Sequence, residues 1–424
     1  MARKMKNSGI EWIGDIPEGW EIKYFVQLFS QVKNKNIGLR EKNLLSLSYG
    51  KIKQKSIETV GGLLPDNFEG YNIIDRNDIV LRLTDLQNDQ HSLRVGLSHE
   101  RGIITSAYCS IRVRGAESPN YLYYYLHTFD IAKGFYGMGS GVRQGLNWDG
   151  LKYIKILLPP QHEQDRISVF LNQKTLEIDS MLSKTISSIE EYKKLKQAVI
   201  TQAVTKGVRG EREMKDSGVE WIGEIPAEWS ICPIKRLAAI QTGSTPSKTS
   251  SESFYSSITG TPWIKPDNLG FSSSIETTAE FLTEEGCSVA RTFPSNTVYV
   301  GCIGSRIGNC GYSLIPCACN QQINALIFNE RMYWKYGWYL TIFQEEQYTL
   351  LANGNVIQII NSTTQGNISC IVPSISEQRE ITAYLDAKCA EIDGLIAKKA
   401  QLAKELESYK KSLIYEVVTG KREV

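Results

Sequence analysis

The sequence predicts an α+β protein in which two mixed α/β domains with short strands are joined by two long helices. These helices are predicted to form an antiparallel coiled coil, and the whole is pseudo-two-fold symmetric. The first observation is a duplication: residues 8–17 (SGIEWIGDIP) return as residues 217–226 (SGVEWIGEIP), 209 positions later (Ser8 to Ser217). The second is a seven-residue apolar repeat near the end of each half. A period this long indicates a duplicated domain, whose pseudo-two-fold axis suits a target with two half-sites.

A second set of repeated residues closes each half. They are Glu-Gln at 163–164 and 377–378, Glu-Ile-Asp at 177–179 and 391–393, and Val-Thr at 204–205 and 418–419, each pair 214 positions apart (163 to 377). Most polar residues between these landmarks differ between the halves. A shared scaffold with divergent surfaces predicts two different specificities.

The composition is that of an ordinary globular protein. Of the 424 residues, 42% are apolar and 22% are charged, so neither the disordered nor the membrane class fits. The basic N-terminal stretch lacks the apolar segment of a secretory signal, so we expect a cytoplasmic protein. Nine cysteines, eight of them after position 230, indicate reduced thiols rather than a disulfide framework. A net charge of +2 gives no argument for nucleic acid, although local basic surfaces can exist on such a chain.

Each half begins with a region of short strands and one short helix. Strand composition marks residues 79–81, 109–113 and 154–158 in the first half, and 298–300, 323–328 and 368–372 in the second. Ser118 and Pro119 form an N-cap and N1 pair that opens an aromatic helix through Phe129. Its counterpart, residues 333–343, aligns with it at a shift of 214. Residues 207–215 read as a polar linker.

Each half ends in a long helix with a heptad pattern, starting near residues 163 and 377. Neither run contains proline, and about forty residues make a helix roughly 60 Å long. The apolar frame that starts at Leu171 recurs from Leu385 in the second half. The predicted seam consists of Leu171, Ile178, Met181, Tyr192, Leu195 and Val199 in the first helix, and Leu385, Ile392, Leu395, Leu402, Leu406 and Leu413 in the second.

Two packing modes are open for these helices. Each could lie on the surface of its own domain, but a seven-residue repeat makes a narrow seam that prefers a partner helix, most simply the other copy. Polar residues at predicted core positions, Lys174 with Lys388 and Thr185 with Lys399, are expected to set the register. Ser374 and Glu377 form a capping-box pattern at the start of the second helix.

These motifs together resemble the specificity (S) subunit of Type I restriction-modification systems, the HsdS family. The motifs are the paired Glu-Trp-Ile-Gly-x-Ile-Pro-x-x-Trp segments ending at Trp20 and Trp229, and the Pro-x-x-x-Glu-Gln entries at Pro159 and Pro373. The Glu-Ile-Asp triplets and the Val-Thr helix ends accompany them. The match covers essentially the whole chain, in order and twice, which makes it far more specific than any single motif.

The resemblance implies two target recognition domains that each read one half of an interrupted DNA sequence, with the helices as spacer. It implies modification subunits docked on the assembly and restriction subunits that join for cleavage. It implies no cofactor on this chain, since S-adenosylmethionine, ATP and Mg²⁺ are expected on the partner subunits. The implied divisions are a first target recognition domain (1–160), a first spacer helix (161–206), a linker (207–216), a second target recognition domain (217–373) and a second spacer helix (374–424).

Candidate DNA contacts are basic and amide side chains in the strand and loop regions. Arginine suits guanine edges, glutamine and asparagine suit adenine edges, and alternating lysines suit phosphates. The candidates are Lys51, Lys53, Arg82, Arg94, Arg143 and Gln144 in the first half, and Lys265, Asn268, Arg306, Asn309, Gln321, Gln322, Asn355 and Gln358 in the second. The equivalent pairs Gln144 with Gln358 and Asn147 with Asn361 could instead satisfy loop backbone.

Other conspicuous residues have structural interpretations. The aromatic helices could stack on bases, but their apolar spacing favours core packing. The tryptophan pairs, Trp12 with Trp20 and Trp221 with Trp229, are interpreted as packing anchors between domain and helix, although they could help dock the modification subunits. Cysteines 302, 310, 317 and 319 lack Cys-x-x-Cys spacing, so buried thiols are favoured over a zinc site.

The sequence contains no catalytic motif that we recognise. It has no glycine-rich cofactor loop with an Asn-Pro-Pro-aromatic motif, no phosphate loop, and no metal or nucleophile spacing around its four histidines. The sequence thus predicts a non-catalytic binding subunit without a metal. Two alternatives stay open: a coiled-coil scaffold whose heads bind proteins, and a stand-alone nuclease or methyltransferase.

Overall fold

A computed structural model describes residues 3–56, 67–86, 88–89, 92–138, 145–246, 253–270, 274–354 and 357–424. The chain divides into two compact units. Unit 1 comprises residues 1–185 and 401–424, and unit 2 comprises residues 186–400. Unit 1 therefore contains the beginning of the first long helix and the end of the second, whereas unit 2 contains the reverse combination.

The first half of the chain supplies short strands, three short helices and one long helix. The strands are β1 Met5–Asn7, β2 Asp15–Pro17, β3 Glu21–Tyr24, β4 Phe29–Gln31, β5 Leu44–Ser48, β6 Lys51–Lys55, β7 Asn72–Ile74, β8 Ile79–Leu81, β9 Val95–Leu97, β10 Gly102–Ile104, β11 Cys109–Val113 and β12 Lys155–Leu158. The helices are α1 Phe25–Leu28, α2 Pro119–Ile131, α3 Trp148–Leu151 and the long α4 Gln161–Lys206.

Helix α2 lies in the main core of unit 1. As predicted, Pro119 is its first residue, and the Ser118 hydroxyl accepts a hydrogen bond from the Tyr121 amide at 3.4 Å. Its aromatic and aliphatic side chains are buried together with residues of β8, β12 and both long helices. The core-packing interpretation of this aromatic helix is therefore confirmed, because all of its rings except that of half-buried Tyr123 are buried.

Two four-stranded sheets build the rest of unit 1. Their strand orders are β6-β5-β10-β7 and β4-β11-β8-β9. In the first sheet β5 and β10 run parallel, and the other pairs are antiparallel. Strand β12 pairs with β3, so the last strand before α4 is fixed to the beginning of the domain.

The second half repeats this plan. Its strands are β13 Met214–Asp216, β14 Glu224–Pro226, β15 Ser230–Pro233, β16 Ala238–Thr242, β17 Tyr255–Ser256, β18 Thr261–Ile264, β19 Phe281–Leu282, β20 Thr292–Phe293, β21 Thr297–Gly301, β22 Cys310–Ser313, β23 Cys317–Cys319, β24 Ile323–Phe328 and β25 Ser369–Val372. Its helices are α5 Glu284–Val289, α6 Trp334–Phe343, α7 Glu345–Leu351, α8 Ser362–Gly366 and the long α9 Ile375–Val418.

Unit 2 has the same sheet topology as unit 1. The order β16-β24-β21-β22 corresponds to β4-β11-β8-β9, and the parallel pair β18 and β23 corresponds to β5 and β10. The second sheet has one additional strand, β17, in the order β17-β19-β18-β23-β20. All six strands and both aromatic helices predicted from composition are therefore present.

The two long helices pack antiparallel within each unit. In unit 1, Lys410 of α9 donates to Asp179 of α4 at 2.6 Å. In unit 2, Lys196 of α4 donates to Asp393 of α9 at 2.7 Å. Asp179 and Asp393 are the last residues of the two Glu-Ile-Asp triplets, so the repeated motif forms the same interhelical ion pair twice. The predicted fold class, with its antiparallel helices, is confirmed.

The predicted seam is correct at the first set of heptad core positions and wrong at the second. Leu171, Ile178, Leu385, Ile392 and Leu413 are buried, and Tyr192, Val199, Leu395 and Leu406 are half-buried. Met181, Leu195 and Leu402 are instead exposed, Met181 by 53%. A seven-residue repeat identifies one core position in each heptad. It does not by itself decide whether the second core position lies three or four residues after the first.

In both helices the second core position, which faces the partner helix, lies four residues after the first. Thr175 and Cys389, four positions after Leu171 and Leu385, are both buried. The predicted core lysines, Lys174 and Lys388, lie on the surface, where each pairs with a glutamate three residues later. Thr185 is buried as predicted.

Within the predicted linker, Met214–Asp216 forms β13 and pairs with β14. One local alignment needs correction. The aromatic helices align at a shift of 215, not 214, where they begin. This shift follows from Tyr121 and Tyr336, whose hydroxyls donate to equivalent carbonyls of Leu157 and Ile371 at 3.0 and 3.4 Å. None of the helices in the described ranges is long and apolar enough to span a membrane.

Candidate nucleic-acid interface

In unit 2 the strand extension that follows β21 gathers most of the predicted contact residues. The Cys302 amide donates to the Gln322 carbonyl at 2.8 Å, and the Cys302 carbonyl accepts from the Ile360 amide at 2.9 Å. The Gly304 amide donates to the Gln358 carbonyl at 2.9 Å. The loops that carry Gln321, Gln322 and Gln358 therefore lie on either side of one segment, which continues into Arg306.

The segment that carries Lys265 and Asn268 joins the same region. Arg306 lies 3.4 Å from Asp267 in an exposed ion pair. The Lys265 ammonium is 2.6 Å from Glu280 and lies over the Trp263 ring. These side chains come from distant parts of the chain, so the fold places basic and amide groups together at one end of the unit 2 sheets.

Several of the predicted contacts already have structural roles. The Asn268 side chain accepts from the Lys265 amide at 2.8 Å, and the Gln322 side chain accepts from Asn320 at 3.1 Å. The Gln321 side chain accepts from the Thr245 hydroxyl. Asn309 is half-buried in the turn that returns to β22. Exposed Arg306 and Gln358 are the candidates best placed to reach a ligand.

Unit 1 builds the equivalent pair of loops with different residues. The Leu146 amide donates to the Leu83 carbonyl at 2.9 Å, matching the bond between Ile360 and Cys302. Asn147 caps α3 and Asn361 caps α8, each accepting from a backbone amide three residues later. These two asparagines therefore satisfy loop backbone. Arg143, Gln144 and Asn355 lie outside the described residues.

The predicted lysine row of unit 1 is a strand. In β6 the side chains of Lys51, Lys53 and Lys55 are exposed, whereas Ile52 packs against a core cluster. The alternation follows from the strand geometry, since successive side chains point to opposite faces. Arg82 directly follows β8, in the other four-stranded sheet, and is half-buried 3.5 Å from Asp89.

Arg94 was predicted to contact DNA, and the structure contradicts this. The residue is fully buried, and its guanidinium donates to the carbonyls of Arg82, Thr84, Asp85 and Asp89 and to the Tyr136 hydroxyl. Its amide donates to Asp130, whose pKa burial raises to about 6. Arg94 therefore organises the loop after β8 from inside the domain.

A repeated clamp joins each domain to its long helix. The Trp20 indole donates to Glu163 at 3.0 Å and Arg3 donates to the same carboxylate at 2.6 Å. Burial by itself raises the pKa of Glu163, but the hydrogen bonds from Arg3 and Trp20 outweigh it, so the pKa lies below its usual value. The prediction that Trp20 anchors domain to helix is confirmed. Trp12, in the same motif, packs against α2 at Phe129.

Unit 2 repeats the clamp with Trp229, Glu377 and Arg212, at 2.9 and 2.6 Å. The predicted capping box is only half formed. Ser374 accepts from the Glu377 amide at 3.3 Å, but the Glu377 carboxylate binds the clamp instead of returning to Ser374. Sequence reasoning missed both arginines, although Arg3 and Arg212 are also 209 positions apart and so belong to the repeat.

The neighbouring glutamines fix the helix entry. Gln164 donates to the Pro159 carbonyl and accepts from the Ser118 amide, each at 2.9 Å. Gln378 makes the same pair of bonds to Pro373 and Tyr333. The Pro-x-x-x-Glu-Gln motif is therefore explained by structure: the glutamate receives the clamp, and the glutamine joins the strand end to the aromatic helix.

The four cysteines considered as a zinc site lie in the interior of unit 2. Cys302, Cys310, Cys317 and Cys319 are buried free thiols, and burial raises the pKa of Cys302 to about 11. Among the described residues, no group of three or more histidine, cysteine, aspartate or glutamate side chains is placed to hold a metal ion.

Residues 226–405 match the family model described as Type I restriction modification DNA specificity domain. The chain is 24% identical to the Type I restriction enzyme MjaVIII specificity subunit of Methanocaldococcus jannaschii, over 96% of this chain and 93% of that protein. It is also 24% identical to the putative MjaX specificity subunit of the same organism, over 96% and 95% of the two chains. A solved chain from work on complex assembly of the type I R-M system superposes with a TM-score of 0.72 at 15% identity, covering 96% of this chain and 99% of that one.

Proposed function

We propose that this chain, which is similar over nearly its whole length to Type I restriction enzyme specificity subunits, is the sequence-specific DNA-binding subunit of a Type I restriction-modification complex. Each recognition domain reads one half of a bipartite, interrupted target. One observation carries this proposal: both units share the clamp, the helix entry and the loop pair, yet their exposed loops and edge strands carry different side chains. Two different DNA half-sites would be read by two domains of this kind, which share one scaffold but present different side chains on their exposed surfaces.

The long helices are proposed to set the unread gap. Two modules that read the same side of B-DNA lie about one helical turn apart, roughly 34 Å. Helices of 46 and 44 residues are each long enough to hold modules at that separation. The apolar side chains left exposed on them, including Met181, Leu195 and Leu402, offer surface for the modification subunits.

The subunit is proposed to be non-catalytic and cytoplasmic. S-adenosylmethionine, ATP and Mg²⁺ are assigned to the modification and restriction subunits. Its partners are double-stranded DNA, the modification subunits and, for cleavage, the restriction subunits.

Single-molecule methylome sequencing tests this function directly. Host DNA is compared with the gene for this chain present and deleted, while the cognate modification subunit is expressed in both strains. We expect the deletion to abolish methylation at one gapped, two-part motif. An unchanged methylome would reject the proposal and favour a coiled-coil scaffold whose heads bind proteins.

Shortening both helices by one turn should shorten the gap. Deleting residues 186–189 and 400–403, which are equivalent under the 214-residue shift, removes about 6 Å from each helix, or roughly one to two base pairs of DNA. The methylated motif should keep both half-sites and lose gap positions. The control replaces by alanine the six of these residues that are not already alanine, and it should leave the gap unchanged. A deletion variant that methylates the original gap would contradict the spacer role.

Gln358→Ala should relax recognition in only one half-site. A glutamine that pairs with a base edge contributes about 1–3 kcal/mol of discrimination against the wrong base. Because Gln358 is exposed in unit 2, we expect degeneracy at one position of that half-site and no change in the other. The motif is read by methylome sequencing. Gln401→Ala, which removes an exposed helix glutamine, is the control and should preserve the full motif.

A further inference from the structure

Among the described residues, strand β6 is the edge of its sheet, and it carries a row of exposed lysines along one face. It is the outermost strand of the order β6-β5-β10-β7. Lys51 lies opposite Ser48 of β5 and Lys53 opposite Ser46, so small hydroxyl residues flank the row. Side chains two residues apart on a strand are spaced by about 6.6 Å, close to the phosphate spacing along one DNA strand.

Lys51 differs from the other two lysines because it is tied to a long helix. Its ammonium lies 2.9 Å from Asp179, which also accepts from Lys410. Burial by itself raises the pKa of Asp179, but the hydrogen bonds from Lys410 and Lys51 outweigh it, so the pKa lies below its usual value. Lys53 and Lys55 form no ion pair with the described residues. One lysine therefore fixes the strand to α4, and two remain available to a ligand.

The equivalent strand of unit 2 cannot take this role. Strand β19 occupies the place of β6 beside the parallel pair, but it consists of Phe281 and Leu282 and is covered on its outer side by β17. Its neighbours in sequence are acidic, with Glu280 before it and Glu284 and Glu285 after it. In the described part of unit 2, this edge therefore carries no lysine row.

We infer that β6 binds the DNA phosphate backbone through Lys53 and Lys55, and that unit 2 has no counterpart at the equivalent edge. The inference rests on the proposed function and divides the phosphate contacts of this sheet edge unequally between the units. Unit 1 supplies these salt-dependent, sequence-independent contacts in addition to base readout. Unit 2 meets DNA through other side chains, such as Arg306 and Gln358. The part of the salt dependence that comes from β6 then belongs to the half-site read by unit 1.

The salt dependence of binding tests this inference. The full chain, assembled with its modification subunits, is titrated by fluorescence anisotropy onto a duplex carrying the gapped target, between 50 and 200 mM salt. Each phosphate contact contributes about 0.9 to the slope of log K against log salt. The double variant Lys53→Ala/Lys55→Ala should therefore lower the slope by about 1.8, so that its affinity falls about tenfold less over this range.

A matched pair of lysines serves as the control. Lys4 and Lys6 are also exposed, two residues apart and in unit 1, but they belong to the hairpin of β1 and β2. Lys4→Ala/Lys6→Ala should reproduce the wild-type slope. Duplexes that carry a single intact half-site refine the test: the β6 variant should change the slope only on the half-site read by unit 1.

The outcomes separate this inference from the function on which it rests. A wild-type complex that binds gapped and scrambled duplexes equally would overturn the proposed function itself. A specific wild-type complex whose slope is unaffected by the β6 variant would overturn only the inference, and would leave the lysines as protection of an exposed sheet edge. A loss of slope that is equal for both half-sites would reject the unequal division.

Discussion

Glu377→Ala should lower the free energy of unfolding of unit 2 by about 3–5 kcal/mol, the range measured when one partner of a buried ion pair is removed. The Glu377 side chain is 3% exposed, and its two oxygens accept from Arg212 at 2.6 Å and from the Trp229 indole at 2.9 Å. Without the carboxylate, the Trp229 indole N–H loses its partner, and the largely buried Arg212 guanidinium loses its buried carboxylate and keeps only the exposed Glu228 and the Lys206 carbonyl. Urea unfolding of the full chain, followed by tryptophan fluorescence, measures the loss.

Glu380→Ala is the matched control for that prediction. Glu380 also lies on α9 and also pairs with an arginine from the segment between the halves, Arg209, at 2.7 Å. Its side chain is 48% exposed, so solvent screens the pair and we expect a much smaller change. Glu163→Ala in unit 1, where the carboxylate is more exposed than Glu377, should fall between them. Equal losses for Glu377 and Glu380 would contradict the importance of burial.

Arg94→Ala should destabilise unit 1 by at least about 3 kcal/mol, and it should do so without acting through DNA. The substitution leaves the carbonyls after β8 and the Tyr136 hydroxyl without their donor in the interior. It also leaves buried Asp130 without the adjacent positive charge. We expect an earlier urea transition in the absence of DNA and a loss of methylation at the whole motif, rather than relaxed reading of one base pair.

Arg82→Ala separates the structural role from a DNA contact. Arg82 lies on the same segment, but its guanidinium is half-exposed and has one ion-pair contact, at 3.5 Å to Asp89. We expect little change in the urea transition and a weaker salt dependence of DNA binding. An Arg94→Ala variant that unfolds like wild type but reads DNA with lower fidelity would restore the original prediction for Arg94.

The duplication explains why so much of the fold was predictable. Once the halves are aligned, each motif is seen twice, and residues present in both copies are those that build the scaffold. The tryptophans, the Glu-Gln pairs and the Glu-Ile-Asp triplets all proved to join domain to helix or helix to helix. Arg3 and Arg212 are repeated in the same way, so their role in the clamp was also predictable from the sequence.

The candidate site was less predictable because its residues are the ones that differ between the copies. Asn268 and Gln322 have the composition of base readers, yet both hold local backbone or side chains in place. Short polar side chains bind neighbouring backbone as readily as a ligand, and sequence alone does not distinguish the two uses. The lysine row of β6 was predictable because residues two apart on a strand lie on the same face, so alternating lysines in the sequence form a row in the structure.

The sequence by itself determined the duplication, the short strands, the two long helices and the anchors between them, because these depend on local periodicity and on residues repeated in both halves. Only the tertiary structure decided which side of each helix faces its partner, so that Met181 is exposed and Thr175 buried. It also decided that Arg94 is internal and that, in the described part of the chain, β6 is the edge of its sheet whereas β19 is covered by β17. Burial depends on segments that are far apart in the chain, and the same arginine or leucine can meet solvent, a carbonyl or a partner helix according to what the fold brings against it.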